Sequence, residues 1–201
     1  MRANPLHTFL LTALIAVSAT SSLLAQQNSS QQTSLTAAPC LKLGNLGAYS
    51  AFECRGLPGY SVVTGDDNHR TVYLSIGTNR HDAILQPAVR QIIPPFNAVQ
   101  DDLEWRIAGG LPVATIQRWF IVDYTGKHND PDLKNVGLLV VTRTPPGGSC
   151  HVAYVDVNEN GDAYALARKA ADELAQKFDC GKDKVHLIGN KGRAAELAAG
   201  R

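Results

Sequence analysis

Residues 149–180 read SCHVAYVDVNENGDAYALARKAADELAQKFDC and hold a strand, a turn and a helix in one run. The start, SCHVAYVD, is rich in β-formers. Beyond the turn, Ala163, Leu166, Ala167, Ala170, Ala171, Leu174 and Phe178 recur at helical spacing, with Asp172, Glu173, Gln176 and Lys177 off that stripe. So many alanines predict close approach of the helix axis to the surface it covers. Asp162 suits the N-cap and Gly181 the residue just past the end. About six strand steps climb roughly 20 Å, and about sixteen helix steps descend roughly 24 Å. The chain therefore returns Cys180 to the level of Cys150, which predicts a Cys150–Cys180 disulfide stapling helix to sheet. By elimination the remaining pair is Cys40–Cys54.

Working outward, residues 60–64 (YSVVT) and 71–76 (TVYLSI) predict a hairpin around GDDNHR. Residues 82–93 allow a short helix, limited by Pro87 and ended by Pro94-Pro95. Residues 103–108 alternate, with Leu103, Trp105 and Ile107 on one face and Glu104 and Arg106 on the other. Gly109-Gly110 turns the chain into PVATIQRWFIVDY, the polar residues 125–136 read as a loop, and GLLVVTRT at 137–144 as another strand. Residues 185–188 add an edge strand. Short connections favour antiparallel pairing. The expected fold class is α+β: a mostly antiparallel sheet with one long C-terminal helix packed on one face, and two disulfides.

The first quarter differs in composition from the rest. Between Arg2 and Lys42 there is no Asp, Glu, Lys or Arg, although such residues make up 18% of the 201-residue chain. Arg2, the apolar run from Phe9 and the small Ala25 match a secretory signal over residues 1–25, with Ala19 a competing cleavage position. The Gln/Ser/Thr-rich residues 26–39 read as a flexible polar tether, having few apolar groups to offset ordering. Residues 40–190 then form a single domain, and residues 191–201 a frayed helical tail. Signal removal takes 19 basic and 18 acidic residues to 18 and 18, a formally neutral chain. Without a basic run, neither nucleic acid nor an anionic membrane surface is an expected partner, and no stable membrane span remains after cleavage. Export to the periplasm or beyond makes disulfides the natural state of Cys40, Cys54, Cys150 and Cys180.

The runs ATIQRW and CHVAYVD, with the Ala-rich helix ending in FDC, resemble a group of uncharacterised exported proteins of proteobacteria. The likeness covers residues 104–180. It implies export and carries no assigned activity.

Candidate chemistry is sparse. Asp156, Asn158, Asn160 and Gly161 match positions 1, 3, 5 and 6 of an EF-hand-type calcium loop. Position 12 is Ala167 where a bidentate acid belongs, so a polar turn before a helix capped by Asp162 is the stronger reading. Cys150 and His151 are strand neighbours on opposite faces and cannot form a thiol–imidazole dyad. His151 is expected on the face away from the helix, with Ala153 and Val155. Arg118 interrupts the apolar set Ala114, Ile116, Phe120 and Val122 and needs a partner, for which Glu104 is the expected one. The alternative is an anion-binding groove formed by Glu104, Arg106, Arg118 and His151 on the sheet face opposite the helix. No GxSxG, P-loop, GxGxxG or HExxH is present, and no cofactor is expected. The sequence thus points to an exported binding or accessory protein, inhibitor-like in style, whose partner is another envelope or secreted protein or a small anionic ligand. The alternative is a small periplasmic hydrolase using His151 with a nearby arginine.

Overall fold

The computed structural model describes residues 28–67, 70–93, 96–124 and 135–200. The expected export signal at residues 1–25, the Pro94-Pro95 break, His69 of the hairpin turn and residues 125–134 of the expected loop lie outside the described residues.

Among the described residues the chain forms ten strands in two sheets. One sheet has the order β1-β6-β7-β8-β9-β10: Ser29–Ser34, Asn97–Ala108, Leu111–Val122, Asn135–Arg143, His151–Asp156 and His186–Ile188. The other has the order β2-β3-β4-β5: Leu41–Leu46, Tyr49–Arg55, Ser61–Asp66 and Thr71–Gly77. All neighbours are antiparallel except β9 and β10, which are parallel. Helix α1 (Arg80–Leu85) covers the outer face of the four-stranded sheet. Helix α2 (Ala163–Leu174), extended by a 3-10 turn at Ala175–Lys177, covers the outer face of the six-stranded sheet. Helix α3 (Arg193–Ala198) follows β10.

This corrects the expected fold class. The molecule is a two-sheet sandwich with short helices on its outer faces, instead of one sheet under one long helix. Leu103, Trp105, Ile107, Trp119 and Leu138 of one sheet meet Cys54, Val62, Leu74 and Ile76 of the other in one buried cluster, which also takes Ala194 and Ala195. The Trp105 and Tyr60 rings meet there at a tilt of 58°, with centroids 5.7 Å apart. Two apolar faces satisfy each other more fully than either could against solvent.

Two stretches expected to be loose are ordered. Residues 29–34, assigned to the tether, form edge strand β1 against β6. Its stabilisation is polar: Trp105 Nε1 donates to Thr33 Oγ1 at 2.8 Å, and Ser30 joins the charged cluster described below. The tail is docked through α3, with Ala194 and Ala195 buried.

The disulfides join Cys40 to Cys54 and Cys150 to Cys180. The second links the entry to β9 with the residue three beyond the 3-10 turn, Cα atoms 5.7 Å apart. Buried Ala163, Ala167, Ala170 and Ala171 let α2 approach Ala114, Ile116, Leu139, Val141 and Ala153.

Local devices place α1. Asn79 caps it by accepting the N–H of Asp82 at 3.0 Å, and Ser75 Oγ donates to Ala83 O at 2.8 Å. A side chain at Gly77 would collide with the Ala83 backbone, so only glycine permits this approach. The segment after α1 is tied to the start of β9. Ser149 N–H donates to Gln86 Oε1 at 2.8 Å, His151 N–H to Gln91 Oε1 at 2.6 Å, and Ala88 N–H to Ser149 O at 2.9 Å.

Candidate functional site

The residues singled out in the sequence do not converge on one site. Glu104 and Arg106 lie on the face of β6 that meets α2, not on the opposite face. Arg106 donates Nε and Nη2 to the Asp172 carboxylate at 2.9 and 2.6 Å and Nη1 to Ser30 Oγ at 2.6 Å. Ser30 Oγ donates to Glu104 Oε1 at 2.5 Å, and Arg168 holds Glu104 through Nε at 2.7 Å and Nη2 at 3.0 Å. Two charges from α2 therefore meet two from β6 across a strand-edge serine. Burial works to raise the Glu104 pKa, but hydrogen bonds from Arg168 and Ser30 and the charges of Arg168 and Arg106 outweigh it and hold the carboxyl below its ordinary range. Every charged group in the cluster has a partner within it, so the cluster clamps α2 to the sheet.

The expected Arg118–Glu104 pair does not form, because Arg168 occupies Glu104. Arg118 instead lies 5.0 Å from the centroid of the Phe120 ring, half-buried, with its Nε unpaired.

His151 is fully buried between the sheets, and a one-residue bulge explains why. Thr142 pairs with His151 while Val141 pairs with Ala153, leaving Val152 as the extra residue. The bulge turns Ala153 and Val155 towards α2 and leaves His151 on the inter-sheet face with Tyr154. The expected grouping of His151 with Ala153 and Val155 is thereby corrected. His151 Nδ1 lies 2.8 Å from the Tyr154 hydroxyl, and Nε2 has no partner among the described residues. Burial pulls the histidine pKa down to about 4 and pushes the tyrosine up. His151 and the arginines of β6 and β7 thus occupy opposite faces of one sheet. The sheet itself separates them, so the described residues do not bring the histidine and the arginines together.

The calcium-like turn is closed on itself. Asp156 accepts the N–H groups of Asn158 and Glu159 through Oδ1 and of Ala194 and Ala195 through Oδ2. Asn158 Oδ1 accepts the N–H of Gly137 at 2.9 Å. Asn160 donates to Asp156 O and Asn190 O and accepts from Asn190 N. These oxygens are each taken up by backbone N–H donors of the turn, of Gly137, of Asn190 and of α3. Asp162 precedes α2 without making a side-chain cap.

An open groove of about 480 Å³ lies on the outer face of the four-stranded sheet, between the β2–β3 hairpin and α1. Leu43, Leu46, Ala51 and Ile84 supply its apolar surface, and Lys42, Arg80, His81 and Asn45 its polar rim. Helix α1 is only six residues long and covers β4 and β5, so the outer side of β2 and β3 stays partly open. A bulge between Lys42 and Gly44 shapes the floor. In a flat strand Leu43 and Leu46 would point to opposite faces. The extra residue puts both beside Tyr49 and Ile84, and Gly44 takes the φ of +100° that a side chain would resist.

The groove was missed in the sequence because its residues come from two segments that carry no motif. The available signal was LKLGNL: a glycine inside a β-prone run marks a bulge or a close approach. Two smaller recesses differ in character. One, of about 230 Å³, contains Arg143, whose guanidinium already donates to the carbonyls of Phe178 and Pro146. The other, about 380 Å³ beside the Cys40–Cys54 disulfide, carries both Glu53 and Arg55. No protein-family model, curated protein or solved structure matches this chain.

Proposed function

We propose that the chain is an exported binding protein that takes a small ligand in the groove between the β2–β3 hairpin and α1. The observation that carries this reading is the groove itself: a concave apolar floor with a few polar groups at the rim, the usual form of a small-molecule site. Its walls are preorganised by the Cys40–Cys54 bridge behind β2 and β3 and by the Asn79 and Ser75 contacts that seat α1. Export to the periplasm or exterior is supported by the signal pattern in residues 1–25 and by two disulfides. Among the described residues no helix is long and apolar enough to cross a membrane. A binding role is preferred to hydrolysis because His151 is sealed between the sheets, remote from the arginines that would have to assist it.

The test is export followed by mapping. The full chain is expressed with its own signal, recovered from the envelope fraction or medium, and titrated with a fragment library while Leu, Ile and Ala methyl resonances are observed. Shifts concentrated at Leu43, Leu46, Ala51 and Ile84, lost in Ala51→Trp, are expected. Cytoplasmic retention would sink the export half of the reading, and shifts centred elsewhere would sink the binding half.

A further inference from the structure

The groove has a charge pattern as well as a shape. Lys42 is exposed on its rim, and among the described residues no carboxylate lies within 4.0 Å of it. Arg80 meets a single acid, Glu53, at 3.7 Å, with 53% of the arginine side chain exposed, so that contact is long and screened by water. The guanidinium keeps further N–H donors free for a planar anion. The acid on α1 nearest in sequence, Asp82, is turned away from the rim. It accepts from Thr78 N–H at 2.8 Å, Thr78 Oγ1 at 3.0 Å and Gln86 Nε2 at 2.5 Å. Among the described residues no acidic side chain lines the groove.

We infer that the ligand is a small amphiphilic anion, its apolar body lying over Leu43, Leu46, Ala51 and Ile84 and its acidic headgroup meeting Lys42 and Arg80. The inference rests on the groove being the ligand site and adds the chemical class. An uncharged apolar molecule would use the floor and leave both cations facing water. A cationic amphiphile would meet repulsion from Lys42 and Arg80. A small hydrophilic anion would gain only screened surface contacts. An amphiphilic anion satisfies both halves of the groove at once, with the hydrophobic term supplying affinity and the charges supplying orientation and selection.

Four probes with one tail separate these cases: decanoate, decyl phosphate, decanol and decyltrimethylammonium, each kept below its micelle concentration. Binding to the disulfide-bonded full-length protein is followed by calorimetry and by the groove methyl resonances. Decanoate or decyl phosphate is expected to bind about tenfold or more tightly than decanol, as one to two charge-assisted contacts would give. The cation is expected not to compete. The stronger of the two anions identifies the headgroup. Raising salt should weaken the anion and leave decanol unchanged. The double variant Lys42→Glu, Arg80→Glu should lose the preference while keeping the wild-type melting temperature within a few degrees, because both side chains are exposed. Decanol binding as tightly as decanoate at the groove methyls would overturn the anionic class and leave the site standing. No shift at those methyls with any probe would overturn the site as well.

Discussion

The Asp156 carboxylate accepts the backbone N–H of Ala194 at 2.9 Å, across 38 residues of sequence. The N-cap residue of helix α3 is Gly192, which has no side chain to cap it, so the cap comes from the end of β9. The same carboxylate holds its own turn through Asn158 and Glu159. A residue that reads as the first ligand of a calcium loop is instead a latch between a strand end and the C-terminal helix.

Replacing Asp156 with Ala should leave those four N–H groups short of an acceptor at a site that is 1% exposed. The expected loss is about 2–3 kcal/mol in urea unfolding, the upper range for a cap combined with buried unpaired donors. Amide exchange at Ala194 and Ala195 should rise more than exchange in β6 and β7. Millimolar calcium should leave the melting temperature of the wild type unchanged. A calcium-dependent rise would restore the metal reading.

Arg106 and Arg118 lie on adjacent strands, with Arg106 paired to Ala114 four positions before Arg118, and they differ in what they hold. Arg106→Met strips Asp172 of both its close donors and removes one from Ser30. It should cost about 3 kcal/mol, because a nearly buried partner is lost from an ion pair. Arg118→Met gives up the guanidinium contact with the Phe120 ring but also removes an unpaired Nε, so a change within about 1 kcal/mol is expected. Equal destabilisation by the two substitutions in denaturant melts would show that Arg118 has a structural partner after all.

His151 is kept neutral by burial, with its pKa lowered from 6.5 to about 4. The unfolded chain therefore takes up a proton between those values while the folded chain does not. The stability contributed by neutral His151 is complete above pH 6.5 and is lost as pH falls towards 4, on the order of 3 kcal/mol in all. Glu104 acts lower in the range. Its depressed carboxyl contributes fully above its ordinary value of 4.5 and loses that contribution as pH falls through the lowered folded value. Urea midpoints at pH 7 and 4.5 should diverge strongly for wild type and much less for His151→Gln. Parallel pH dependence in both proteins would sink the assignment.

The two disulfides close loops of different length, 14 and 30 residues of separation. Restriction of the unfolded chain predicts about 2–4 kcal/mol for each, with the Cys150–Cys180 bridge the larger by about 0.7 kcal/mol. Paired Cys→Ser variants measured by thermal melting check the order. The Cys40–Cys54 variant carries a second expected outcome: weaker ligand binding, since that bridge braces the strands beneath the groove.

Strand positions were legible wherever alternation was strong. Leu103, Trp105 and Ile107 share a buried cluster, as their spacing requires, and Glu104 and Arg106 share the other face. The α2 stripe is equally plain, because alanines at helical spacing have few other uses. Strand β1 was not legible. SSQQTS has no apolar face, and its place is set by pairing with β6 and by Ser30 reaching Glu104 and Arg106. Nor could spacing show that Arg118 would lose Glu104 to Arg168, since that competition is decided by where α2 lies.

The sequence by itself determined what depends on neighbours along the chain: the uncharged opening quarter with its signal-like pattern, the period-two strands, the helical stripe, and the rise that returns Cys180 to Cys150. Tertiary structure alone decided how many sheets there are and which surfaces they leave open. One extra residue at Val152 separates His151 from Ala153, and one at Leu43 gathers two leucines on one face. Such bulges change the side of every residue beyond them while barely altering the local pattern. The groove, the α3 cap and the charged cluster under α2 each join segments far apart in sequence. Their positions follow from two sheets burying their apolar faces against each other, which no local period records.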